Sequence, residues 1–104
     1  MNIIKWIQDW YIENCDEDWE HCYGVTISTL DNPGWLVDID LVDTDLEFKK
    51  FDELNIYINE SNWIQCVVDN GVFKGRGDAR KLEEILTVFK QWVLFRKPED
   101  KMGK

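Results

Sequence analysis

The stretch Asp18-Trp19-Glu20-His21-Cys22-Tyr23-Gly24 places the chain's one histidine between a carboxylate and a thiol, with a second thiol, Cys15, a short way upstream. Two chemistries could use such a set. A cysteine nucleophile needs a nearby base and a setting that favours the thiolate. Cys22 adjoins His21 in a segment read here as entering a strand, where neighbouring side chains point to opposite faces, so the pair does not meet. Cys15 can approach His21 from a loop, but the carboxylates of Asp16, Glu17, Asp18 and Glu20 disfavour a thiolate there. As a metal site, Cys15, His21 and Cys22 lack both the paired C-x-x-C and the spaced histidines of structural zinc centres. The stretch is therefore read as a turn carrying the chain from helix to sheet, with Trp19 and Tyr23 as buried anchors and His21 hydrogen-bonded locally. Asp16, Glu17, Asp18 and Glu20 become candidates for contact with a partner.

Two further patterns reduce to structure. The carboxylates of DIDLVDTD, Asp38, Asp40, Asp43 and Asp45, begin a calcium-loop register, but Val42 stands where a third ligand is needed and no glycine follows. Alternating aspartates on the wet face of a strand are the simpler reading. Gly75-Arg76-Gly77 precedes a helix without the spacing of a phosphate-binding loop and is read as a strand-to-helix turn. No catalytic, metal or cofactor-binding residue is expected.

The elements that carry these residues follow from periodicity. Ile3, Ile7, Trp10 and Tyr11 recur at helical spacing over residues 2–13, and Asn14 to Glu20 end that helix. From Tyr23 the period becomes two, with Val25 and Ile27 against Thr26 and Ser28. Asp31-Asn32-Pro33-Gly34 reads as a type II turn with glycine at positive φ. Trp35, Val37, Ile39 and Leu41 then alternate with Asp38 and Asp40. Residues 43–53 form a charged connection with a short irregular strand through Phe48, and Leu54, Ile56 and Ile58 alternate with Asn55, Tyr57 and Asn59. WIQCVVD is apolar on both sides and reads as a central strand, with Cys66 in the core. Asn70-Gly71 is a type I′ hairpin signal. A short strand VFK follows, then Asp78 as the N-cap of a helix carrying Leu82, Ile85, Leu86, Phe89, Trp92 and Val93. The expected fold is α+β: a four- to five-stranded antiparallel meander sheet with an N-terminal and a C-terminal helix packed on one face. Residues 1–97 form one domain and 98–104 a flexible tail. The uncovered face presents Thr26, Ser28, Asp38, Asp40, Asn55 and Tyr57, with Trp63 and Gln65 beside them.

Charge adds the strongest constraint. The 104-residue chain has a formal net charge of -9. Residues 1–50 hold 12 acidic against 3 basic side chains, whereas residues 51–104 hold 9 of each, so the first half carries the imbalance. Such a field repels phosphate backbones and steers a cationic protein. No apolar run is long enough for a membrane span, and three cysteines without an export signal point to reduced thiols, hence to the cytoplasm. Two other readings fit the same residues: a small thiol-dependent enzyme of sulfurtransferase type using Cys15 or Cys22, and a homodimeric interaction subunit pairing through its open face or an edge strand.

The ordered set WIQDWY, CDEDWEHCYGV, TLDNPGW, NWIQCVVDNGVFKGRGD and LEEILTVFKQW resembles the immunity protein 53 family of bacterial polymorphic-toxin systems over roughly residues 3–93. Two positions depart from the family pattern: Cys22 replaces a small hydroxyl residue, and GRGD replaces a more uniformly glycine-rich turn. The resemblance implies a non-catalytic, cytoplasmic protein that binds and neutralises a cognate toxin. With the acidic first half it leads to the expectation of a basic, nuclease-type toxin. The candidate contact residues are Asp16, Glu17, Asp18, Glu20, Asp38, Asp40, Asp43, Asp45, Tyr57 and Trp63, the last two as aromatic anchors.

Overall fold

The computed structural model describes residues 2–95; the tail expected from residue 98 lies outside them. Asn2 caps the first helix, α1 (Ile3–Asn14), its side-chain oxygen accepting from the Ile4 and Lys5 N–H groups at 3.0 and 3.1 Å. A single helical turn, α2 (Trp19–Cys22), leads into strands β1 (Val25–Leu30) and β2 (Gly34–Asp40). After a long connection come β3 (Leu54–Asn59), β4 (Asn62–Asp69), β5 (Val72–Asp78) and helix α3 (Leu82–Leu94). The five strands form one antiparallel sheet with both long helices on one face, the α+β arrangement expected.

The order of neighbours in the sheet is β1-β2-β5-β4-β3, not the sequential one of a full meander. The connection 41–53 carries the chain to the far edge, and β3, β4 and β5 return from there until β5 pairs with β2. Glycine explains why β5 takes the centre. A Cβ on Gly75 would collide with the Ile85 side chain, and one on Gly77 would lie 2.6 Å from Lys81 Cβ, so α3 rests almost directly on the β5 backbone. For the same reason β5 does not stop at VFK but continues through Gly75-Arg76-Gly77 to Asp78.

Val37 and Ile39 of β2, Phe73 of β5, and Ile64 and Cys66 of β4 point to the helices and are fully or almost fully buried. They meet Ile85, Leu86, Phe89 and Trp92 of α3, over which α1 lays Ile3, Ile7 and Trp10. Aromatic rings lock this layer edge-to-face: Trp10 on Phe89 at 5.1 Å and Phe51 on both Phe73 and Trp92 at 5.5 and 5.3 Å.

Other local expectations change. The Asn70-Gly71 turn has positive φ at both residues, as a type I′ hairpin requires. The turn at Asp31–Pro33 is not type II: the Asn32-Pro33 peptide is cis, and Gly34 is an extended residue of β2, facing the Gly77 carbonyl where a Cβ would not fit. Asp78 does not cap α3; Lys81 holds the N-cap position, and the Asp78 carboxylate serves β4 instead. Residues 41–53 contain no strand. Successive backbone turns from Leu41 to Lys49 bury Leu46 and leave Phe48 outside. His21 and Cys22 sit on the α2 turn, not in a strand, and both are exposed; the His21 ring makes no hydrogen bond among the described residues. No helix is long and apolar enough to cross a membrane.

Candidate functional site

Strand register sorts the acidic residues. β1 and β3 begin, and β2 and β4 finish, at the same end of the sheet, where Val25 faces Ile39, Asp69 faces Val72 and Leu54 faces Cys66. The two acidic segments of the first half, residues 16–20 before β1 and 43–47 after β2, therefore leave the sheet side by side. The Trp19 indole N–H ties them together by donating to the Val42 carbonyl at 3.0 Å. Trp19 itself is buried against Trp10 and Tyr23, so this crosslink belongs to the core.

Each segment is shaped by its own carboxylates. Asp16 accepts from the backbone N–H groups of Asp18 and Trp19, and those bonds hold its carboxyl below the usual carboxylate range. Glu20 accepts from the N–H groups of Asp16 and Glu17, and Glu47 from that of Asp43. Glu17 and Asp43 have positive φ, which turns the chain back sharply. Glu17, Asp18, Asp43 and Asp45 have exposed side chains, and none of these carboxylates enters an ion pair among the described residues.

The C-termini of both long helices reach the same end. Asn14 of α1 and Val93 and Leu94 of α3 line a cleft of about 750 Å³ together with Glu13 and Asp45. Helix C-termini carry partial negative charge, which adds to the field. Lys49 partly answers it, its ammonium donating to the Trp92 and Phe95 carbonyls at 2.7 and 2.8 Å. At the mouth stands Phe48, 93 % exposed. A large apolar ring held out from an acidic rim has the makings of an interface anchor. Sequence reading missed it because Phe48 was assigned to a strand; its isolation between Glu47 and Lys49 was the available signal.

The open face of the sheet behaves differently. Thr26 opposes Asp38, Gln65 opposes Asn55, and Tyr57 opposes Trp63, so the expected residues share that face. β5 runs through its middle and brings Lys74 and Arg76. Arg76 donates to Asp38 at 2.9 Å and Lys74 lies 3.4 Å from Asp69, while Asp40 accepts from the Gly24 N–H at 2.9 Å. Asp38 and Asp40 are therefore engaged within the fold, and this face is close to neutral. The ten candidate residues fall into two groups: Asp16, Glu17, Asp18, Glu20, Asp43 and Asp45 at the acidic end, and Asp38, Asp40, Tyr57 and Trp63 on the sheet.

The three cysteines lie in different settings. The Cys15 thiol donates to the Tyr11 carbonyl at 3.3 Å, Cys22 is exposed, and Cys66 is buried, its thiol pushed up to about 12 by desolvation, with Glu84 adding to the effect. No group of three metal-capable side chains converges among the described residues. The acidic end is an anionic surface with the exposed Phe48 ring at its tip. No curated protein and no solved structure matches the chain. The family model of immunity protein 53 matches residues 4–94, so the chain belongs to that family and is an immunity protein, the binding partner of a cognate toxin.

Proposed function

We propose that the chain neutralises a basic, nuclease-type toxin by covering its polyanion-binding site with the acidic end of the sheet. The observation that carries this reading is the convergence of segments 16–20 and 43–47, bound to each other through Trp19 and Val42 and free of ion pairs among the described residues. A nuclease surface is cationic because its substrate is polyanionic, and an inhibitor that presents carboxylates competes for the same ground. Long-range attraction accelerates encounter, whereas slow release requires a desolvated apolar centre. Phe48 supplies that centre beside the charges, which makes it a better anchor for this surface than Tyr57 or Trp63.

The test uses the purified chain and the domain of its cognate toxin. Equimolar chain abolishes nucleic-acid cleavage, and polyanionic substrate competes with the chain for the toxin. A complex that forms but leaves the toxin's nucleic-acid binding intact contradicts the proposed occlusion.

A further inference from the structure

The sheet has two edges, and they differ. β1 presents hydroxyls at Thr26, Ser28 and Thr29 around a single exposed apolar residue, Ile27, at 40 %. β3 presents Ile56, Tyr57 and Ile58, which are 47, 66 and 64 % exposed. Among the described residues its only strand neighbour is β4, so alternate N–H and C=O groups along its outer side have no partner strand. Proteins ordinarily protect such an edge with a lysine, a proline or an inward-pointing charge. The strand LNIYIN contains none of these; its one irregularity, a shift of register between Tyr57 and Asn59, lies at its end and leaves Leu54 to Tyr57 in regular pairing with β4.

Charges flanking the strand decide what it can accept. Asp52 and Glu53 precede it and Glu60 follows it. A second copy paired antiparallel sets Asp52 and Glu53 against the other copy's Glu60 at both ends, and a parallel copy sets like against like directly. Opposed like charges destabilise a strand pair, and the net charge of -9 adds general repulsion. A strand with apolar residues at alternate positions and lysine or arginine at its ends meets complementary groups throughout. β3 also starts at the acidic end of the sheet, so one partner can reach both surfaces.

We infer that β3 is a docking edge onto which the cognate toxin adds a strand with basic flanks, extending the sheet to a sixth strand. This rests on the proposed toxin-binding function and adds the mode of attachment: the acidic end governs encounter, and the β3 edge joins Phe48 in slowing release.

Hydrogen exchange with the catalytically disabled toxin domain tests it. The outward-facing amides of residues 54–59 slow at least tenfold in the complex. Ile58→Asn, a neutral change at an exposed position, makes the complex dissociate about tenfold faster and leaves the salt dependence of association unaltered. A complex that elutes intact while β3 amides exchange as in the free chain overturns the inference and leaves the proposed function standing. Absence of any complex overturns both. Slowing of the same amides when the chain alone is concentrated overturns it in favour of self-pairing.

Discussion

Asp78 is the one buried carboxylate among the described residues. Its side chain is buried, 2 % exposed, and accepts from the N–H groups of Trp63 and Arg80 and from the Lys81 ammonium, at 2.8 to 2.9 Å. One carboxylate thus joins β4 to the start of α3. Burial by itself would raise its pKa, but the Lys81 ammonium and the two N–H groups outweigh that effect and hold it at about 2. A folded-state value below the ordinary 3.8 means the unfolded chain binds the proton more readily. The contribution is complete above pH 4 and disappears as pH falls through about 2. Asp78→Ala is expected to cost about 3 kcal/mol in urea unfolding at neutral pH, since it leaves two N–H groups without an acceptor and the part-buried Lys81 ammonium with only the Asn62 side-chain oxygen. Between pH 4 and 2 the wild type loses more stability than the variant; parallel pH profiles would contradict this. The thiols give a second residue-scale expectation. Native alkylation modifies exposed Cys22, whereas Cys66, buried and with its thiol pushed up to about 12, reacts only after unfolding. Mass spectrometry of the alkylated chain with and without urea reads both. The sequence led to another role for Asp78 because an aspartate before a helical stripe is the usual sign of an N-cap. Nothing local reveals that Trp63, distant in sequence, claims the same carboxylate.

At the scale of elements, the fit between β5 and α3 sets the architecture. Gly75 is extended, so alanine there costs nothing in backbone conformation, but its methyl group meets Ile85. Gly75→Ala is therefore expected to destabilise by about 3 kcal/mol through overpacking alone. Adding Ile85→Ala makes room, so the double variant is less destabilised than the two single effects combined, and a double-mutant cycle in urea measures the difference. Exact additivity would show that α3 does not press on Gly75. Helices and strands were largely legible from period: Ile3, Ile7 and Trp10 for α1, Val37 and Ile39 for β2, Asn70-Gly71 for the last hairpin. The neighbours of β2 were not, because alternation states which face a strand buries and not which strand lies next to it. Glycines in a G-x-G strand segment carried that information, yet they were read as a turn, their commoner use. Connection 41–53 departs from the expected irregular strand for a related reason. Phe48 looks like a strand residue by type, but the hydrogen-bonded turns around it and the Trp92 indole N–H donating to the Lys50 carbonyl at 2.7 Å fix the segment against α3 instead.

Across the whole molecule, composition foretold an acidic first half but could not place it. Residues 1–50 supply α1, β1 and β2 together with both acidic segments, and only the antiparallel register reveals that the segments adjoin. It also reveals that Lys74 and Arg76, from the balanced second half, neutralise the sheet face on which Asp38 and Asp40 were expected to act. The proposed electrostatic docking therefore uses the end of the sheet and not its open face. The most direct measurement compares association rates with the toxin domain for two triple variants across a range of salt. One neutralises Glu17, Asp18 and Asp45; the other neutralises Asp31, Glu83 and Glu84, exposed acids toward the opposite end. The first is expected to associate at least tenfold more slowly at low salt with a shallower salt dependence, while the second stays close to wild type. Equal slowing by both variants, or wild-type association that does not respond to salt, would contradict an acidic end as the docking surface.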